Sequence, residues 1–123
     1  MKKFVVTKTM KVPELGIEVE IEVHDKKKSF NQIKKFIPKG WRLMTVQECI
    51  FLANKKEYAK PLKMDGSSLE DDFFIEQPFE LNRTYKLVAR FGADSGGADL
   101  NCNWVLDYSY SSLGVRLVRS IKT

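Results

Sequence analysis

The segment Ile17-Glu18-Val19-Glu20-Ile21-Glu22-Val23 alternates apolar and acidic residues without a break. That two-residue repeat belongs to a strand buried on one face, and on a helix the same four β-branched residues would scatter around the axis. Just before it, Met10 and Val12 alternate with Thr7, Thr9 and Lys11, and Pro13-Glu14-Leu15-Gly16 supplies turn chemistry. The pattern predicts an antiparallel hairpin over about residues 2–23. With Val12 opposite Ile17, Lys11 faces Glu18, Thr9 faces Glu20 and Thr7 faces Glu22. One face is then apolar, and the glutamate row is expected to be a solvated face, not a metal site.

Helix signals follow, confined to about 29–57. Ser29 is placed to cap a short helix carrying Phe30, Ile33, Phe36 and Ile37, which Pro38 and Gly40 stop. Thr45-Val46-Gln47-Glu48 is a capping-box pattern. The helix it opens, about 46–57, is expected to bury Val46, Cys49, Ile50 and Ala53, with Phe51 and Leu52 widening the stripe. Residues 58–72 read as a loop ending in Glu70-Asp71-Asp72, an acidic triplet without the spacing of a calcium loop. Sheet and loops are expected over 73–121, with short strands at Phe73–Glu76, Tyr85–Phe91, Asn103–Tyr108 and Val115–Ile121. Gly92–Asp99 reads as a surface loop; it lacks the lysine and the strand-to-helix context of a phosphate-binding loop.

A chain of 123 residues fits one domain, 1–123, able to bury a core without disulfides or metal. No apolar run approaches a membrane span, and the basic start lacks the apolar stretch of an export signal. The expectation is a cytoplasmic protein, with Cys49 and Cys102 as free thiols. The charge is uneven. Residues 1–64 hold 15 Lys/Arg against 7 Asp/Glu, and residues 65–123 hold 6 against 9. The excess centres on Lys26, Lys27, Lys28, Lys34, Lys35 and Lys39, a face able to meet phosphates or an acidic protein. Lysines without interleaved aromatics or arginines argue against strong nucleic-acid binding. His24, the single histidine, reads as a surface residue beside Asp25. One histidine and two separated cysteines do not compose a zinc site, and no nucleophile stands beside a base in sequence.

Two blocks, Gly40-Trp41-Arg42-Leu43-Met44-Thr45-Val46-Gln47-Glu48 and Ser112-Leu113-Gly114-Val115-Arg116-Leu117-Val118-Arg119, carry a family resemblance. Together they resemble the C-type-lectin-fold branch that contains formylglycine-generating enzymes, related bacterial domains and the variable proteins of diversity-generating retroelements. The resemblance spans roughly residues 37–119. It implies a single α+β domain: a small twisted antiparallel sheet with adjacent N- and C-terminal strands and two helices beside it. It makes Gly40, Trp41 and Arg42 scaffold residues. The closely spaced cysteine pair of the formylglycine-generating enzymes has no counterpart here, so their activity is not carried over. Glu76-Gln77-Pro78 and Asn103-Trp104-Val105 also miss the calcium-binding pattern of the sugar-binding lectins.

By position, the resemblance directs attention to residues 99–110, just before the terminal strand. Strand alternation there assigns Leu100, Cys102, Trp104 and Leu106 to the core and Asn101, Asn103 and Asp107 to the opposite face. Asp99, Asn101, Asn103, Asp107, Tyr108 and Tyr110 are the candidate binding residues, types suited to adaptable polar contact around aromatic anchors. The expected function is a non-catalytic binding module of bacterial or phage type, without cofactor, metal or membrane, recognising a protein partner. The alternative is a nucleic-acid- or phosphate-associated protein using the lysine face of residues 26–63.

Overall fold

In a computed structural model, residues 2–67, 71–77, 87–94, 97–105 and 113–121 are described; for 87–89, 93–94, 97–99 and 101–105 this concerns the backbone alone. Strands β1 (Thr9–Val12) and β2 (Ile17–Glu20) form the expected hairpin, in the expected register from Val12↔Ile17 to Thr9↔Glu20. A 3-10 turn, Pro13–Leu15, joins them, and Gly16 closes it at φ 61°, a left-handed conformation that suits glycine. The ladder is shorter than residues 2–23. Residues 2–8 instead form an extended strap along the first helix, anchored where the Phe4 amide donates to the Phe36 carbonyl at 2.8 Å.

Helix α1 (Phe30–Phe36) and helix α2 (Val46–Ala53) both start at complete capping boxes, Ser29 with Gln32 and Thr45 with Glu48. Between them runs β3 (Arg42–Leu43). Helix α2 ends four residues before the expected boundary. The Asn54 side chain and backbone amide both donate to the Ile50 carbonyl, and Lys55 turns extended. A third helix, α3 (Lys56–Ala59), spans the boundary at which a loop was expected to begin, and Tyr58, Ala59, Leu62 and Met64 of the expected loop are buried. The inward face of α2 also differs from expectation. Cys49 and Leu52 are fully buried, whereas Ile50 is 51% exposed.

The remaining strands are β4 (Asp72–Phe74), β5 (Leu87–Asp94), β6 (Gly97–Val105), β7 (Leu113–Gly114) and β8 (Leu117–Ser120). They complete an α+β architecture with two four-stranded sheets instead of one, ordered β1-β2-β8-β3 and β6-β5-β4-β7. The second sheet is mixed, because β7 runs parallel to β4. The C-terminal strand β8 lies between the N-terminal strand β2 (Val19↔Val118) and β3 (Arg42↔Val118). The two sequence blocks, seventy residues apart, are therefore neighbours in one sheet.

Contacts within these blocks explain their composition. Arg42 forks onto Glu48 with Nη1–Oε1 at 2.8 Å and Nη2–Oε2 at 2.7 Å, tying β3 to the first turn of α2. Arg119 donates to Glu18 at 2.6 Å and lies over the Trp41 ring at 4.9 Å. Gly114 is needed for close approach: a Cβ there would come within 2.7 Å of the His24 carbonyl oxygen, where His24 and Val115 form a backbone bridge. Arg116 is fully buried, donates to the Ile21 carbonyl at 2.8 Å and covers the Phe73 ring at 4.8 Å, so it joins the two sheets. Burial pulls its pKa down to about 10. One core cluster joins Val19, Cys49, Leu52 and Val118 to Phe73 and Phe91; another gathers Phe4, Phe30, Ile33, Phe74 and Leu117 around α1.

Candidate binding surface

Gly92–Asp99, expected as a loop, is the end of a β-hairpin: Gly92 pairs with Asp99, Ala93 with Ala98 and Asp94 with Gly97. Gly92 is a strand residue with a packing role. A Cβ at that position would meet Arg90 Nη1 at 1.7 Å, so only glycine leaves room for the guanidinium, which donates to Asp72 at 2.9 Å. Phe91 stacks on Phe73 with ring centres 5.1 Å apart. The ion pair and the stacked rings fasten the base of the hairpin to β4. Among the described residues, strand β6 is the end strand of its sheet.

Three candidate residues, Asp99, Asn101 and Asn103, fall on β6. Asp99 lies opposite Gly92 and Asn101 opposite Arg90. The register shifts between Val88 and Arg90, so that Cys102 and Asn103 together oppose the single residue Ala89. A bulge of this kind interrupts strict alternation, and the simple division of 99–110 into two faces does not run through the strand. Leu100, expected in the core, is 38% exposed. Asp107, Tyr108 and Tyr110 lie outside the described residues, as does Leu106.

The lysine face divides into two groups. Lys2, Lys3 and Lys28 line a groove of about 340 Å³ with Phe4, Val5, Thr7, His24, Asp25 and Phe36. Lys3 reaches the Lys35 carbonyl at 2.9 Å, which brings the exposed Lys34 and Lys35 of α1 to the same region. Lys26 is half-buried, while Lys27 and Lys39 are exposed. At the other end, Lys55 approaches Glu14 at 3.5 Å, and Lys56 and Lys60 line a separate cleft with Asp65.

Two expectations for polar residues are overturned. Glu20 is not on a solvated face but fully buried, and it accepts from the Thr7 amide (2.8 Å), the Thr7 hydroxyl (2.9 Å), the Leu117 amide (2.6 Å) and His24 Nε2 (2.7 Å). His24 is not a free surface histidine: its other ring nitrogen, Nδ1, lies 2.6 Å from Asp25 Oδ2. Burial opposes ionisation of both groups, but their mutual hydrogen bond and the backbone donors hold the Glu20 carboxyl below its usual range. Burial would also lower the imidazole pKa, and the two carboxylates outweigh it and raise it. Alternation marked Glu20 as facing away from the apolar side of β2. Besides His24, the donors that cover it come from the strap and from a strand nearly a hundred residues away, beyond the reach of any local pattern.

Comparison with protein-family models, with curated proteins and with solved structures finds no match to this chain.

The remaining chemistry is limited in kind. Cys49 is buried, and burial pushes its thiol up to about 12, so it is not a thiolate nucleophile at neutral pH. Among the described residues, no three His, Cys, Asp or Glu side chains converge as metal ligands, and no helix is long and apolar enough to cross a membrane. The sequence showed no apolar pocket, yet a shallow groove of about 680 Å³ lies between α1 and β3, floored by Phe30, Ile37, Trp41 and Leu43, with Lys34 and Glu76 at its margin. Its apolar floor comes from residues 30–43, and Glu76 and Gln77 join it from beyond α3.

Proposed function

We propose that this chain is a non-catalytic binding module of C-type-lectin type that recognises a protein partner through the β5–β6 hairpin and the segment following it. The observation that carries this reading is the position of Asp99, Asn101 and Asn103 on the strand that, among the described residues, ends a sheet whose base is fastened to the core. A rigid scaffold presenting polar residues at its margin suits recognition, because little order must be gained on binding. An end strand also offers backbone donors and acceptors to an incoming segment. The adjacency of β3 and β8, which carry the two resemblance blocks, supports the family reading. The buried, fully protonated Cys49 supports the absence of cysteine chemistry at that position.

The test is a pull-down from a bacterial lysate with wild type beside Asn103→Ala/Tyr108→Ala, each with and without nuclease. A protein retained by wild type, lost in the variant and indifferent to nuclease is the expected result. Equal retention by both proteins contradicts it.

The gathering of Lys2, Lys3, Lys28, Lys34 and Lys35 around the strap and α1 favours a second reading, association with a phosphate-bearing partner. Its signature is affinity that falls steeply with salt and is insensitive to Asn101 and Asn103.

A further inference from the structure

The connection between β2 and α1 is held in a conformation its residues do not favour. Asp25 and Lys27 both have positive φ, 52° and 72°, in a region that L residues other than glycine seldom occupy. Asp25 is fixed there by His24 Nδ1 at 2.6 Å and approached by Lys28 at 3.8 Å. The Lys26 stem lies beside Gly114, and the His24 backbone is bridged to Val115. The charged groups around the imidazole are Glu20 from β2, Asp25 and Lys28 from the connection, and Lys2 and Lys3 from the strap. Arg116, between β7 and β8, adds its charge near Glu20.

Carboxylate oxygens within 2.7 Å of both ring nitrogens require both nitrogens to donate, so this geometry belongs to the imidazolium. A neutral ring retains one proton. The fully buried Glu20 carboxylate has no access to water, whereas Asp25 is about one-third exposed. The retained proton therefore stays on Nε2, because a ring lone pair turned against the buried Glu20 oxygen costs more than one turned against the partly solvated Asp25. Nδ1 is left with a lone pair facing Asp25 Oδ2.

We propose that His24 is a pH-sensitive latch on the 25–28 connection: protonated, it holds Asp25 in the left-handed region, and on losing its proton it frees Asp25 and the Lys26-Lys27-Lys28 run. The contact with Glu20 and the bridge to Val115 persist, so the fold is retained while three lysines change position. The latch is closed below the ordinary histidine value of 6.5 and opens as pH rises through the raised histidine pKa.

As the chain has one histidine, its ring titration is read without ambiguity by NMR. The ring shifts and the 13Cα shifts of Asp25 and Lys27, which report positive φ, are followed together from about pH 5 to 9.5, a range spanning ordinary and raised histidine values. The expected result is one shared midpoint above 6.5, with Asp25 and Lys27 leaving the left-handed region at the upper end. Asp25→Asn, a partly exposed change that leaves Glu20 in place, is expected to lower the histidine midpoint by about one unit. A wild-type midpoint at or below 6.5, unchanged backbone shifts at Asp25 and Lys27, or an Asp25→Asn midpoint equal to wild type overturns the proposal.

Discussion

Around the β1-β2-β8-β3 sheet, charged side chains meet fixed partners: Arg42 reaches Glu48 on α2, Arg119 reaches Glu18 on the neighbouring strand, and His24 reaches back to Glu20. The β6-β5-β4-β7 sheet is fastened at its centre, by Arg90 on Asp72 and Phe91 on Phe73, while its long outer strand carries an exposed Leu100 and a bulge at Cys102–Asn103. The first sheet gathers both sequence blocks and the two ends of the described chain into one ladder. The second extends a hairpin from a secured base. The contrast separates a sheet whose charged side chains meet fixed partners from one that is fastened at its base and carries a long strand at the end of the described order.

Five substitutions or conditions break or sharpen this contrast. The largest effect is expected at the seam between the sheets: Phe73→Ala removes a fully buried ring that contacts Phe91 and Arg116, at a cost of about 4 kcal/mol by denaturant unfolding. In the first sheet, Glu48→Ala leaves the Arg42 fork and the Thr45 amide without their acceptor and is expected to cost about 2 kcal/mol. In the second, Gly92→Ala forces Arg90 off Asp72. The cost there is expected to be about 1–2 kcal/mol, with the loss concentrated in hydrogen-exchange protection of β5 and β6.

The pH dependence is expected to follow the first sheet. Glu20 and Glu48 have lowered pKa values in the fold, so their contribution is present above the ordinary carboxylate value of 4.5 and disappears as pH falls through the folded values. His24 has a raised pKa, so its contribution is full below 6.5 and is lost as pH rises through the folded value. Chemical denaturation across pH checks both limbs; Glu48→Gln should flatten the acid limb and leave the alkaline one. The smallest stability effect is expected at the margin, where Asn101→Ala/Asn103→Ala stays within about 0.5 kcal/mol of wild type.

The hairpin register, the Ser29 cap and the Thr45–Glu48 capping box were legible because each depends on residues within a few positions of one another. Val12 met Ile17, and Thr45 and Glu48 capped α2 reciprocally, as local chemistry dictates. The misreadings share a different cause. Glu20 looked solvated because alternation records which side of a strand is apolar, not what later covers the other side; Leu117 covers it from the far end of the chain. Gly92 looked like a loop residue because its demand comes from Arg90 lying across it. The expected α2 ran past Asn54, where the Asn54 side chain and amide share the Ile50 carbonyl and the helix ends. Of the candidate site, Asn101 and Asn103 were read by strand alternation and lie on β6, Asp99 was expected in a loop and lies on the same strand, and the bulge that interrupts the alternation has no signature in the residues themselves.

The most direct measurement is the affinity of the protein captured from lysate, taken from low to moderate salt for three proteins: wild type, Asn101→Ala/Asn103→Ala, and Lys28→Ala/Lys34→Ala/Lys35→Ala. The expected result is a shallow salt dependence and a loss of at least about tenfold, or 1.4 kcal/mol, confined to the asparagine variant. A steep salt dependence with the loss confined to the lysine variant would contradict the assignment of recognition to the β5–β6 margin.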